Sequence, residues 1–393
     1  MPYIQKQYLK NLSNYRYSGV DKSLLSKYVL QAYWTRLVEF FPMWMAPNLI
    51  TLLGFSCVIV NFLTVMILDP TLSQPVPNWV YFTYAIGLWV YASLDAIDGK
   101  QARRTGTSGP LGEMFDHGCD ALNTALGTIV SASVLGIGQS WMTAVTLLST
   151  TSNFYLSTWE EYHTGTLYLG YFSGPVEGIV MLVSLFILTG LLGGSAFWRL
   201  PLRQVLGLAP DALTWIPDYP TNVFLNVLSM IILGSNVVNS IINVVGSARK
   251  NNKSPAVALM GLLPFIGTVA LVYNWLLASP TIVTSHLTIF MVYCGCSFGY
   301  MVGRIILAHV TKAPFPFFHR VYLPLILGSL NASLPAYFNW NSLFPMEYEY
   351  HYVLLALVYS IVIYAHFAIS VIHEVCEYFD IWCLSIKHPK KQP

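Results

Sequence analysis

Charge is what this chain has least of: only 10% of its 393 residues are Asp, Glu, Lys or Arg. Soluble domains carry about 25%, so an ordinary globular protein is excluded. The 55% hydrophobic content and a mean hydropathy of +0.56 point to a bilayer instead. Cysteine is also sparse. The six cysteines (Cys57, Cys119, Cys294, Cys296, Cys376 and Cys383) form no C-x-x-C pair, so no zinc ribbon or dithiol centre is indicated and buried, unbridged thiols are expected. No apolar h-region opens the chain, because about forty polar or amphipathic residues come first; a signal peptide is not expected. The net charge of +2 calls for no nucleic-acid partner.

What is abundant fits a membrane protein. Aromatics make up 15% of the chain, a density suited to helices with two interfaces to anchor. Residues 1–22 read as a loose cytosolic tail. From Ser23 to Phe41 the apolar Leu30, Tyr33, Trp34, Leu37 and Phe41 follow helical spacing, with Lys27, Gln31, Arg36 and Glu39 on other faces. That pattern predicts an amphipathic helix lying in the interface. Ten apolar runs of spanning length follow, near 49–68, 79–97, 112–136, 140–157, 176–197, 223–246, 255–278, 282–308, 318–337 and 351–374. The expected fold is all-α, a polytopic membrane bundle of about ten transmembrane helices. With a cytosolic N-terminus, only Arg199 and Arg203 of the 20 basic residues fall on the far side; an odd helix count would scatter them.

One stretch concentrates the acids, D-A-I-D-G-K-Q-A-R-R-T-G-T-S-G-P-L-G-E-M-F-D-H-G-C-D, from Asp95 to Asp120. Clustered carboxylates at a membrane helix end are costly and mark function. Asp95 and Asp98, three apart, share a face at the end of one helix, and Gly109-Pro110 breaks the chain before the next. On that helix Glu113, Asp116, His117 and Asp120 form one stripe. Two facing stripes can cage one or two oxygen-liganded ions, and an all-oxygen set favours Mg²⁺ or Mn²⁺ over zinc. Arg103 offers a planar fork for a phosphoryl group, whereas Lys100 and Arg104 read as topology charges. Gly99 and Gly112 permit close approach of a ligand to backbone, or else serve as helix-packing glycines.

The spacing D-x2-D-G-x2-A-R-x8-G-x3-D-x3-D, on Asp95, Asp98, Gly99, Ala102, Arg103, Gly112, Asp116 and Asp120, resembles without a gap the signature of the CDP-alcohol phosphotransferases. Segments along the whole chain resemble the eukaryotic choline/ethanolamine phosphotransferases of that family: W-M-A-P-N-L-I-T-L-L-G at 44–54, F-Y-L-S-T-W-E-E-Y-H-T at 154–164, G-P-V-E-G at 174–178, G-L-L-P-F at 261–265 and L-S-I-K-H-P at 384–389. The resemblance implies transfer of phosphocholine or phosphoethanolamine from CDP-choline or CDP-ethanolamine to diacylglycerol, with release of CMP. It also implies two metal ions held by Asp95, Asp98, Asp116 and Asp120, a homodimer, and a home in the endoplasmic reticulum or Golgi membrane with the site facing the cytosol. The CDP-alcohol is expected on Asn48 and Thr51, behind Pro47, and on Asp95, Gly99, Ala102, Arg103 and Gly112. The domains implied are a tail and interfacial helix at 1–47, catalytic helices at 48–246, and further spans with a basic tail at 247–393.

Two candidates stand for the general base. Asp120 ends the metal stripe; His117, with Glu113 one turn before it, titrates near working pH and is preferred, since a metal-bound carboxylate is a poor base. For a cationic headgroup the candidates are Trp159, Glu160, Glu161 and Glu177, with His163 nearby; the alternative for Trp159 is an ordinary interfacial tryptophan. An inositol- or glycerol-phosphate transferase is the nearest rival within the family. An ion-coupled transporter is the rival outside it, disfavoured because the acids crowd one helix end and no internal repeat is visible.

Overall fold

The computed structural model describes residues 2–170, 175–209 and 218–388; Gly174 and Pro389, noted above, and Lys390 and Lys391 of the basic tail lie outside them. The helices are α1 (Lys6–Asn14), α2 (Gln31–Leu37), α3 (Pro47–Leu68), α4 (Asn78–Thr105), α5 (Pro110–Leu135), α6 (Trp141–Thr164) and α7 (Pro175–Leu191). After the short α8 (Leu202–Val205) come α9 (Thr221–Lys250), α10 (Pro255–Met260), α11 (Leu263–Ala278), α12 (Leu287–Thr311), α13 (Tyr322–Phe338) and α14 (Glu349–Phe379). All ten expected stretches are helical, α10 and α11 sharing one. Among the described residues, six segments are long and apolar enough to cross a membrane: Pro47–Leu68, Asn78–Thr105, Thr221–Lys250, Pro255–Ala278, Ile282–Thr311 and Met346–Phe379. The chain is an integral membrane protein built as a helical bundle, and the six cysteines are free and half-buried.

The polar helices lie inside. α5, which carries three acids, packs on α3, α6 and the largely buried α12, so protein rather than lipid surrounds the helix least suited to lipid. Proline at the first turn starts α3, α5 and α10. Gly106 ends α4 in the left-handed region at φ 74°, which glycine adopts without penalty. That closure lets the chain reverse within four residues and lays the start of α5 against the end of α4.

The N-terminal residues are not a loose tail. The backbone N–H groups of Tyr3 and Ile4 both donate to the Glu374 carboxylate at 2.8 Å, and Asn11 Nδ2 donates to the Thr311 carbonyl at 2.7 Å. Ile4 and Leu12 are buried. A strand β1 (Gly19–Asp21) then pairs in parallel with β2 (Leu167–Leu169), just beyond α6. Hydropathy gave no sign of this docking, because it rests on backbone donors meeting one carboxylate far along the chain. The amphipathic segment is helical, as its spacing predicts, from Ser26 to Phe40 in three consecutive turns of different pitch, with Trp34 and Val38 buried on Ile50 and Ile97. Tyr28, Val29 and Phe40 remain exposed on its other side.

At the opposite end of the bundle Asp69 is fully buried. It accepts from the backbone N–H groups of Ser73 and Gln74 at 2.8 and 2.7 Å, and from Ser133 Oγ at 2.6 Å. These bonds tie the α3–α4 loop to the end of α5. Arg199, one of the two basic residues expected on this side, donates to the carbonyls of Gly136 and Ser73 there. Asp69→Ala removes the acceptor for three donors, one of them the buried Ser133 hydroxyl, and is expected to cost roughly 3 kcal/mol against roughly 1 kcal/mol for Ser133→Ala. Thermal unfolding of the detergent-solubilised protein checks both, and equal midpoints for the two variants would contradict this anchor.

Candidate active site

The reversal at Gly106 brings the two acid stripes face to face. Asp95 and Asp98 from α4 and Asp116 from α5 each present a carboxylate oxygen within 4.8 Å of the other two. Asp95 Oδ1 and Asp116 Oδ1 are buried without a hydrogen-bond partner. Asp98 Oδ2 accepts from Thr51 Oγ1 at 2.5 Å, and Asp120, one turn further along α5, is held by the Tyr91 hydroxyl. Like charges at that separation repel by roughly 3 kcal/mol per pair at an effective dielectric of about 20. Orphaned buried oxygens on converging carboxylates therefore fit a hard divalent cation. The trio is Asp95, Asp98 and Asp116; Asp120 stands beside it on its own partner. Tyr91 lay outside the sequence signature, and only its position one turn before Asp95 could have suggested it.

A second cluster adjoins the first. Glu113 from α5, Glu161 from α6 and His309 from α12 bring donor atoms within 4.8 Å of one another. His117 Nδ1 is 3.8 Å from Glu161 Oε2, and its Nε2 is 4.0 Å from Asp116 Oδ2. Glu113, expected to orient His117, instead lies 4.0 Å from His309 Nε2, and both its carboxylate oxygens are buried without a hydrogen-bond partner. The same-face spacing along α5 holds, but neighbouring helices supply the closer contacts. His309 was missed because nothing in its own stretch marks it; only the packing of α12 on α5 brings it in.

The glycines face open space. A Cβ at Gly112 would meet only Asn48 Oδ1, at 3.9 Å, and one at Gly99 only Arg103 Nη1, at 3.5 Å. Gly54 is different: its Cβ would lie 3.1 Å from Leu94 and 3.3 Å from Tyr91 backbone, so it is the packing glycine between α3 and α4. Asn48 is buried and donates through Nδ2 to the Cys383 carbonyl at 3.1 Å. Ala102 is half-buried and Arg103 is exposed. Arg104, by contrast, is spent on the Val38 and Phe41 carbonyls at 2.8 and 2.7 Å, and Lys100 Nζ donates to Thr35 at 3.2 Å. A small apolar cavity of about 50 Å³ between α4, α7 and α2 is lined by Trp34, Trp89, Val176 and Ile179, with Asp95 also on its wall.

Of the headgroup candidates only Glu161 joins the site. Trp159 is fully buried, its indole N–H donating to the Ala258 carbonyl at 3.0 Å in a slot left open by Gly261. Its aromatic face is committed to helix packing. Glu160 accepts from Asn243 Nδ2 at 2.8 Å on α9. Glu177 accepts from Ser23 Oγ at 2.6 Å and anchors the start of the amphipathic segment. His163 packs among Trp159, Tyr162 and Phe315. Tyr17 comes instead from the N-terminal segment. Although more than half of Tyr17 is exposed, local desolvation, then the negative charge of Glu161, Asp116 and Asp21, push its phenol up to about 12, with Arg103 opposing.

Comparison with known proteins agrees with this geometry. The CDP-alcohol phosphatidyltransferase family model matches residues 44–216, which include both acid stripes. A CDP-alcohol phosphatidyltransferase class-I family protein of Schizosaccharomyces pombe is 40% identical over 98% of this chain and 97% of its own length. Two proteins of Saccharomyces cerevisiae, cholinephosphotransferase 1 and choline/ethanolaminephosphotransferase 1, are each 37% identical over 99% of this chain and 99% of their own. With full-length relatives of this kind and the signature intact, the chain belongs to the CDP-alcohol phosphatidyltransferase family.

Proposed function

We propose that this enzyme transfers phosphocholine or phosphoethanolamine from the CDP-alcohol to the free hydroxyl of diacylglycerol, forming phosphatidylcholine or phosphatidylethanolamine and CMP. The observation that carries the reading is the Asp95–Asp98–Asp116 trio, with unpartnered oxygens, beside a small apolar cavity. A charged nucleotide and a lipid hydroxyl need such a junction. Equal identity to a choline-named and a choline/ethanolamine-named relative leaves both headgroups in the reading.

Asp95, Asp98 and Asp116, with Asp120 alongside, would hold Mg²⁺ or Mn²⁺, two ions by family resemblance. Metal bound there supplies neutralisation of the pyrophosphate and of charge on the departing CMP. The protein's own groups do the rest. Thr51 and Tyr91 hold Asp98 and Asp120 in place; Asn48, Gly99, Ala102, Arg103 and Gly112 take the nucleotide and its phosphates, with Arg103 free to fork a phosphoryl oxygen. The acceptor would approach Asp95 from the apolar side on which the small cavity under α2 lies. Its oxygen bonds to the β-phosphorus, its proton passes to His117, and the phosphorus–oxygen bond to CMP breaks. His117 presents Nε2 on the aspartate side and Nδ1 to Glu161. Glu161 stabilises the protonated ring, and Glu113 adds negative charge one turn away. The site end carries nearly all the basic residues, so we place it at the cytosolic face of the endoplasmic reticulum, in a homodimer by resemblance. Residues 48–246 would form the catalytic unit, with 1–47 and 247–393 flanking it.

Purified protein with diacylglycerol and Mg²⁺ should release CMP from CDP-choline, CDP-ethanolamine or both, and chelation should abolish the release. Metal-replete folded protein that releases CMP from neither would overturn the assignment. His117→Ala should lower turnover by about 10²–10⁴-fold at saturating metal. Turnover restored by raising metal would instead make His117 a support for the metal ligands.

A further inference from the structure

Burial of Trp159 leaves the headgroup without the aromatic wall that its position suggested, and the N-terminal segment supplies another. Leu167 N–H donates to the Ser18 carbonyl at 2.9 Å, Ser18 and Thr166 hydroxyls meet at 3.1 Å, and Gly19 pairs with Leu167. This register sets residues 17–18 beside 165–166, one turn past Glu161, whose carbonyl accepts from the N–H of Gly165. Two residues earlier, Tyr15 packs edge-on against His309 at 6.1 Å, with its hydroxyl buried and unpartnered. His309 in turn lies 4.0 Å from Glu113. The segment from Tyr15 to Ser18 therefore runs from His309 at the end of α12 to the end of α6, one turn past Glu161.

That cluster asks for a cation other than the one the aspartates hold. Glu113 is only 8% exposed, and neither of its oxygens has a partner. Two buried carboxylates under a segment that carries two tyrosines can draw in an alkylammonium by Coulomb attraction, with aromatic rings close enough in the chain to add cation–π contact. Tyr17 is 58% exposed, so ring surface is available.

Resting on the reaction proposed above, we infer that Tyr15 and Tyr17 of the N-terminal segment, with Glu113 and Glu161 as the anionic floor, form the subsite for the substrate's ammonium group. The docked N-terminus then completes the site, and its two clamps, on Glu374 and on β2, position a specificity element.

The test is steady-state kinetics at saturating diacylglycerol and metal on wild type, Tyr17→Phe and Tyr17→Ala, with CMP as a competing ligand lacking the headgroup. Tyr17→Ala should raise KM for CDP-choline about tenfold, with kcat within about twofold and the CMP inhibition constant unmoved. The rise should be smaller for CDP-ethanolamine, whose ammonium is compact and strongly hydrated, and Tyr17→Phe should keep the wild-type KM. An unchanged KM in Tyr17→Ala, or a CMP constant that weakens in parallel, would overturn the subsite. Wild-type protein that turns over neither CDP-alcohol would overturn the reaction itself, and the subsite with it.

Discussion

Three carboxylates forced together at a helix end inside a membrane bundle are the constraint on which the rest of this structure depends. Asp95, Asp98 and Asp116 repel one another, and two of their oxygens have no donor to satisfy them. A bilayer offers no water to relieve either problem. The fold answers by enclosing α5 among apolar neighbours and by turning the chain at Gly106, so that the acids meet each other rather than lipid. Thr51 and Tyr91 fix the orientations that remain. What is left unsatisfied is the need for a cation, and that need is the chemistry.

The second cluster shows a division of labour along one helix face. α5 carries Asp116, His117 and Asp120 within about one turn, but the partners of its Glu113 and His117 side chains come from other helices, Glu161 from α6 and His309 from α12. Glu161, which faces the proposed base His117, stands outside the aspartate trio. The N-terminal segment closes this side of the site, as the C-terminal segment closes the Asn48 side through the Cys383 carbonyl.

Much of this was legible in the sequence, for physical reasons. Hydropathy reports lipid exposure, so all ten helical stretches stood out, and Trp34 fell on the buried face of the amphipathic segment as its spacing required. The aspartates were legible because short-range spacing on two consecutive helices decides which side chains meet. The missed features depend on long-range packing. Trp159 looked like a ligand wall because composition cannot show the Gly261 slot that absorbs it. His309 and Tyr15 carry no local signal, and the N-terminus looked loose because Glu374, which holds it, lies some 370 residues away.

The central claim is that the Asp95–Asp98–Asp116 trio holds divalent metal for a pyrophosphate. Electron paramagnetic resonance titration of Mn²⁺ into the purified protein, with and without CDP-choline, tests it most directly. The account predicts saturable binding that tightens when the nucleotide is added and is lost in Asp116→Asn while Asp69→Asn keeps it. Equal Mn²⁺ binding by wild type and Asp116→Asn, or binding indifferent to the nucleotide, would contradict it.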